Sequence, residues 1–254
     1  MAAPPTNLRD PIRTTGPLAV GDELILGAHQ MKQLALREIN VKEAFTVVDA
    51  RGETFRASLK SQADTAGGAV VYEQMPRSTE SPAKITLLCA VLGRQRMLLV
   101  VQKATELGCV RVVPVFSEHA VPPRDLDKEK PWAWPGQAIR ACRQCRRASV
   151  PEVLKAIPLE AALAAPYWKN AHARFVLDDR AGAERNDPFA SPPPAADYVL
   201  AVGPEGGWSE PERARLDADG AVELALGGRV LRAETAVYAG LTVLQHRLGD
   251  MNVG

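Results

Sequence analysis

The feature that most constrains this chain lies near its C-terminus, where two apolar, strand-like runs each end in glycines. Tyr198-Val199-Leu200-Ala201-Val202 runs into Gly203-Pro204-Glu205-Gly206-Gly207-Trp208-Ser209, and Ala221 to Leu226 runs into Gly227-Gly228. After the second turn, Arg229-Val230-Leu231-Arg232-Ala233-Glu234-Thr235-Ala236 opens an Ala-rich apolar segment that reads as the last helix. Strands of this kind belong inside a sheet covered on both faces, and ligands of open α/β sheets sit outside the carboxyl ends of the strands.

Each turn has a physical reading. Gly203, Gly206 and Gly207 tolerate positive φ and carry no Cβ, so backbone groups can approach a ligand closely. Pro204 stiffens the turn, and Ser209 with Glu212 three residues on forms a capping box that starts a helix directly after the glycines. One such turn could equally be a tight strand-to-helix connection. Two of them, with Arg232 and Glu234 alongside, point to a site.

The chain of 254 residues is long enough for one large domain or two small ones, and 46% apolar residues suit a globular protein. Basic and acidic residues balance at 31 to 30, which argues against a general nucleic-acid coat and restricts any RNA contact to a local patch. No run reaches eighteen apolar residues and Met1-Ala2-Ala3-Pro4-Pro5 lacks a secretory layout, so no membrane contact and a cytoplasmic location are expected. Cys142 and Cys145 form a single C-x-x-C in a basic helical stretch without a nearby histidine. They read as helix cysteines one turn apart rather than as a metal or redox pair, and no metal is expected.

In chain order, Leu18 to Ala57 alternates short apolar runs with turns at Gly21, Gly27 and Asp49-Ala50-Arg51-Gly52, with one short helix from about His29 to Glu38. This spacing predicts a small β-barrel. Gln74 to Pro82 is polar and proline-bearing and reads as a linker, which places a domain boundary at residues 78/79. From there βα alternation takes over: a strand over Ile85–Leu92, a helix over Arg94–Leu107 stopped by Gly108, and strands over Val110–Phe116 and Arg174–Leu177. The pattern predicts a mainly parallel sheet flanked by helices.

A helix over about Gln137 to Ala148 would carry Arg140, Arg143 and Arg147 on one face, with Arg146 nearby. A solvated basic face is the plain reading; beside an RNA site the same patch becomes a phosphate contact. His119 follows the strand at Val110–Phe116, where a base could sit, although a capping or surface histidine is the simpler account. G-x-x-x-x-G-K-[ST], G-x-G-x-x-G and H-E-x-x-H are all absent from the sequence, which removes the main support for nucleoside triphosphate, dinucleotide and zinc-hydrolase readings.

Three segments in order, QKATELG (Gln102 to Gly108), GPEGGWSEPE (Gly203 to Glu212) and LGGRVLRAETA (Leu226 to Ala236), resemble the RsmE family of 16S ribosomal RNA uridine-N3 methyltransferases, within the SPOUT superfamily. The resemblance implies a PUA-like β-barrel over residues 1–78 that helps hold RNA, and a SPOUT-like α/β domain over 79–254 closed by a C-terminal trefoil knot. It implies S-adenosyl-L-methionine as cofactor, held by Val202, Gly203, Pro204, Glu205 and Gly206 in the first turn and by Leu226, Gly227, Leu231 and Thr235 in the second. It further implies a homodimer acting on small-subunit ribosomal RNA or a ribosomal particle. For methylation at uracil N3, Arg232 is the candidate to stabilise developing negative charge and Glu205 or Glu234 to accept the proton. Two rivals stay open: a catalytically idle RNA-binding module, and a SPOUT methyltransferase acting on tRNA or a ribose 2′-hydroxyl.

Overall fold

The computed structural model describes residues 7–177, 189 and 196–251, which group into two compact units. The first combines the chain up to Glu80 with Ile139–Pro151; the second combines Ser81–Ala138 with the chain from Glu152 on. The break at Glu80/Ser81 lies close to the boundary expected from the linker. The return of residues 139–151 to the first unit was not expected.

The first unit runs β1 (Ile12–Arg13), β2 (Glu23–Leu26), α1 (Ala28–Leu36), β3 (Ala44–Val48), β4 (Thr54–Gln62) and β5 (Gly67–Gln74). Its five-stranded sheet has the order β1-β3-β4-β5-β2, antiparallel except for the β1/β3 pair. The core is built from Ile12, Leu26, Leu34, Phe45, Val47, Phe55, Leu59 and Val71. The predicted turn after β3 is present, with Gly52 at φ +87°. It is locked by the buried Asp49 carboxylate, which accepts hydrogen bonds from the backbone of Leu18, Arg51 and Glu53 and from Arg51 Nε. At the end of α1, Arg37 is buried and donates to the carbonyls of Leu8, Arg9, Asp10, Gln33 and Ala148, stapling residues 8–10 to residue 148.

The basic-helix expectation needs correction. The helix α3 covers Ala133–Gln144 and stops there, because Arg146 takes a left-handed conformation (φ +63°) that an α-helix cannot continue through. Arg147 therefore does not share a helical face with Arg140 and Arg143. Its side chain is 3% exposed, with Nε and one terminal nitrogen on Glu80. Glu80 also accepts from the backbone of Ala148 and Ser149. Arg143 is half-buried and bonded to Glu43 and to the Glu38 carbonyl. The end of the polar linker is thus an anchored counter-charge, and of the three arginines only Arg140 stays exposed.

The second unit contains β6 (Lys84–Ala90), α2 (Arg94–Glu106), β7 (Arg111–Phe116), the start of α3, β8 (Glu152–Val153), β9 (Ile157–Pro158), α4 (Leu159–Ala164), α5 (Pro166–Lys169), β10 (Ala173–Leu177), β11 (Asp197–Val202), α6 (Glu210–Ala218), β12 (Ala221–Glu223) and α7 (Ala233–Leu248). All its strand pairs are parallel, in the order β12-β10-β11-β6-β7-β8, with β9 also on β7. The interval between β8 and β9 falls beside Pro114, which has no N–H to give a ladder. Side-chain alternation divides the sheet's two faces. Tyr198, Leu200 and Val202 of β11 pack with α2 and α7, while Val199 and Ala201 pack with α4, α5 and α6. Helix α7 comes close to the sheet at Gly240, where a Cβ would stand 2.9 Å from Leu177 Cδ1.

The run at Ala221–Leu226 is a strand only to Glu223; one further bond, Leu224 N–H to the Val176 carbonyl, continues the ladder before the chain turns away. Gly108 ends α2 at φ +80°, as the sequence suggests.

Candidate functional site

The strand order reverses direction at β6. The chain moves from β6 to β7 on one side, then returns to place β11 on the other, so the β6/β11 junction is a topological switch point, where ligand crevices open in such sheets. Cys89 pairs with Val202 in register, one residue before Gly203, so the glycine turn emerges at that junction.

In this turn Val202, Gly203 and Pro204 are buried, whereas Glu205 and Gly206 are exposed. A Cβ on Gly203 would touch the Trp208 indole at 3.3 Å. Gly207, at φ +70°, makes the bend, and its N–H returns to the Pro204 carbonyl at 2.9 Å. Gly206 has a different reason to lack a side chain: its Cβ would lie 2.9 Å from Cβ and 3.0 Å from Cγ of His119. His119 Nδ1 also lies 3.2 Å from the Gly207 carbonyl, so this histidine is a buttress of the turn. The capping box is present, and Glu212 does double duty, accepting from Ser209 N–H (2.9 Å) and from Glu118 N–H (2.8 Å). The loop after β7 is thereby tied to the first turn of α6.

Glu205 forms an ion pair with Arg96, in the first turn of α2.

The second turn places Gly227 at φ +100° and leaves Gly227 and Gly228 exposed, with Leu226 and Leu231 half-buried. Arg232 is the N-cap residue of α7, exposed, and its side chain makes no hydrogen bond or ion pair among the described residues. Thr235 is exposed on the first turn of that helix. Glu234 is half-buried, and its Oε2 is buried without a hydrogen-bond partner among the described residues; the hydroxyl of Tyr238, one turn on, is in the same condition. Both lie near Cys89, whose thiol is pushed up to about 12 by burial and by the Glu234 charge. Burial first, then Glu234 and Cys89, push the Tyr238 hydroxyl up as well.

The sequence locates both turns and offers His119, in the loop after β7, as a possible base, but Arg96, Cys89 and Tyr238 are not legible as parts of this neighbourhood, since they come from α2, β6 and α7. His172 and His246 lie outside it: His172 meets Tyr198 edge-to-face and His246 contacts the Met251 carbonyl. Cys142 and Cys145 are in no disulfide, and Cys142 is buried with its thiol pushed up to about 12 chiefly by desolvation.

Comparison with known proteins agrees with this arrangement. Residues 79–245 match the family model of the RNA methyltransferase domain. Ribosomal RNA small subunit methyltransferase E of Aquifex aeolicus is 28% identical over 229 residues, covering 89% of this chain and 95% of that protein. The protein of that name from Buchnera aphidicola subsp. Schizaphis graminum is 29% identical over 188 residues, 72% of this chain and 73% of its own. Among solved structures, ribosomal RNA small subunit methyltransferase E from Neisseria gonorrhoeae, bound to S-adenosyl methionine, superposes with a TM-score of 0.66 at 28% identity, covering 96% of this chain and all of that one. A Legionella pneumophila protein in complex with the same cofactor gives a TM-score of 0.63 at 29% identity, over 94% and 98% of the two chains. With most of the second unit inside the matched region and both glycine turns within it, the chain belongs to the RNA methyltransferase domain family, among relatives that bear the name ribosomal RNA small subunit methyltransferase E.

Proposed function

We propose that this protein is an S-adenosyl-L-methionine-dependent methyltransferase that methylates N3 of a uridine in small-subunit ribosomal RNA. The observation that carries the reading is a glycine turn leaving β11 at the switch point, next to Cys89, together with a Glu234 carboxylate that acts on the same Cys89 and has an oxygen buried without a hydrogen-bond partner among the described residues. A buried acceptor without a donor costs about 1–3 kcal/mol, which a cationic or hydrogen-bond-donating ligand would recover. S-adenosyl-L-methionine carries both a sulfonium and an ammonium, so the residues present fit it. Val202 to Gly206 and Leu226, Gly227, Leu231 and Thr235 are the residues we propose to hold it. Bound there, the cofactor supplies an activated methyl group.

The chain's own contribution is orientation and management of one proton. Uracil N3–H is a weak acid, so the protein must favour the anion or remove the proton as the new bond forms. Arg232, exposed at the start of α7 and without a side-chain hydrogen bond or ion pair among the described residues, stabilises that charge in this reading. Glu205, paired with Arg96, or Glu234, with its buried oxygen, accepts the proton in this reading.

The finer assignments belong to the same proposal. The first unit's sheet would be a PUA-like barrel that holds RNA, the second unit a SPOUT-like domain with a trefoil knot, and the working form a cytoplasmic homodimer.

The test is methylation of small-subunit ribosomal RNA by the purified protein, read by nucleoside mass spectrometry. N3-methyluridine supports the reading. A ribose-methylated nucleoside, or activity only on tRNA, replaces it with the rival methyltransferase, and cofactor binding absent by calorimetry replaces it with an idle RNA-binding module.

A further inference from the structure

The account of methyl transfer leaves Trp132 unused. It is 67% exposed, whereas Trp134, Trp168 and Trp208 are buried at 1%, 0% and 2%. Among the described residues its ring meets no other aromatic ring and no cation, and its indole N–H makes no hydrogen bond. The side chain with the largest apolar area is thus left in water. It is also held in place. Pro131 fixes the backbone before it, and Trp134 is anchored in the core two residues later. Two backbone bonds close the turn around it: Ala133 N–H to the Lys130 carbonyl at 3.0 Å, and Trp134 N–H to the Pro131 carbonyl at 3.2 Å. Lys130 takes a left-handed φ of +52° to make that turn, a conformation unfavourable to any residue with a Cβ. The turn stands close to the first glycine turn. Glu129 accepts from the N–H of Arg94, the first residue of α2, and Arg96 on the same helical turn pairs with Glu205. Three residues separate Trp132 from Glu129, a reach of roughly 10 Å.

We infer that Trp132 is a stacking platform for an unpaired RNA base next to the target nucleotide. This rests on the reading of the glycine turns as the site of RNA methylation. Uracil N3 lies on the edge used in base pairing, so the target must be unpaired before it reacts, and its neighbours lose stacking partners when it leaves the helix. A rigid, exposed indole face replaces one of those partners at little cost in side-chain ordering. Charge favours a base over a phosphate here. Arg124, Lys128 and Lys130 are matched by Asp125, Asp127 and Glu129, so the segment has no excess to hold an RNA backbone. A protein partner would need an apolar core around its aromatic anchor, but residues 127–130 are all charged, whereas a base needs only the face of the ring.

The experiment uses the full chain and small-subunit ribosomal RNA. Because the other three tryptophans are buried, acrylamide reports on Trp132: it should quench the parent strongly and Trp132→Phe weakly, and RNA should protect the parent. Trp132→Ala should bind the RNA about fivefold to 150-fold more weakly, the range for loss of one stacked base. The salt slope should stay the same, because no phosphate contact is lost, and S-adenosyl-L-methionine affinity should not move. Trp132→Phe, which keeps a ring, should fall between the parent and the alanine variant. Parental RNA affinity in a folded Trp132→Ala protein overturns the inference, as does quenching that RNA leaves unchanged. A ring already shielded without RNA, with Trp132→Ala sedimenting as a smaller species, overturns it in favour of a second copy of the chain. If Trp132→Ala does not fold, quenching of the parent still decides. A parent that binds no RNA takes the methyltransferase reading down as well; a parent that binds and methylates RNA no better than Trp132→Ala removes this inference alone.

Discussion

Replacing Gly206 by alanine tests how the first glycine turn is held. Gly206 does not take a positive φ; Gly207 does. The reason for glycine at 206 is therefore steric, and the obstacle is named: an added Cβ would lie 2.9 Å from His119 Cβ, 3.0 Å from Cγ and 3.2 Å from Nδ1. Carbon atoms do not approach so closely at equilibrium, and relief cannot come from rotating the far end of a flexible chain, because the nearest atom is a Cβ fixed to the backbone. Overpacking of this kind costs about 1–3 kcal/mol. Moving His119 away would also break the 3.2 Å contact to the Gly207 carbonyl, a hydrogen bond worth about 0.5–1.5 kcal/mol. If the turn must keep this shape to hold the cofactor, the strain appears in affinity. One kcal/mol is about fivefold and three about 150-fold, at 1.4 kcal/mol per decade. The assay is calorimetric titration with S-adenosyl-L-methionine of Gly206→Ala, His119→Gly and the double variant. Gly206→Ala should weaken binding within that range, His119→Gly by a few-fold, and the double variant should recover at least half of the glycine effect, because removing the whole side chain takes away the Cβ at 2.9 Å as well as the ring. A double variant as weak as Gly206→Ala would refute the reasoning and put the ligand itself, not His119, against Gly206.

Other predictions follow from the same geometry. Arg232→Ala should lower the single-turnover methylation rate by on the order of a hundredfold, with little change in cofactor affinity and partial rescue at higher pH, where more uracil is anionic; a parallel loss of rate, affinity and stability would instead make Arg232 only the cap of α7. Glu80→Gln should destabilise the first unit by about 3–5 kcal/mol, since it strips the countercharge from buried Arg147, and a urea denaturation shift below 1 kcal/mol would contradict that. The same variant should not raise RNA affinity, as it would if Arg147 were a phosphate contact held in check. Cys89 should resist alkylation at pH 8 in the native protein and react on unfolding, because its thiol is pushed up to about 12. Burial alone would raise the Asp49 carboxyl, but hydrogen bonds from Glu53, Leu18 and Arg51 outweigh it and hold the group below the usual carboxylate range. Its contribution is then present above the unfolded value near 4 and lost as pH falls through the lower folded value, so Asp49→Asn should flatten the acid limb of a stability profile for the first unit.

What the sequence by itself determined was local. Strand runs such as Tyr198–Val202, the capping box at Ser209 and Glu212, the turn at Asp49–Gly52 and the stop at Gly108 are written in residues adjacent to one another, and the structure shows each of them where those residues stand. The two glycine turns were legible for the same reason. Tertiary structure decided the matters that depend on residues distant in the chain. The end of α3 at Gln144, where periodicity alone would carry on to Ala148, is set by Arg147 turning inward to Glu80, sixty-seven positions away, for an ion pair that a helical continuation would deny it. Glu205 and Glu234 are equivalent carboxylates in sequence; in the fold Glu205 is exposed and paired with Arg96 from α2, whereas Glu234 is half-buried with one oxygen buried. Propensity and turn chemistry act over a few residues, but burial and charge compensation are settled only by which distant side chains share a low-dielectric interior.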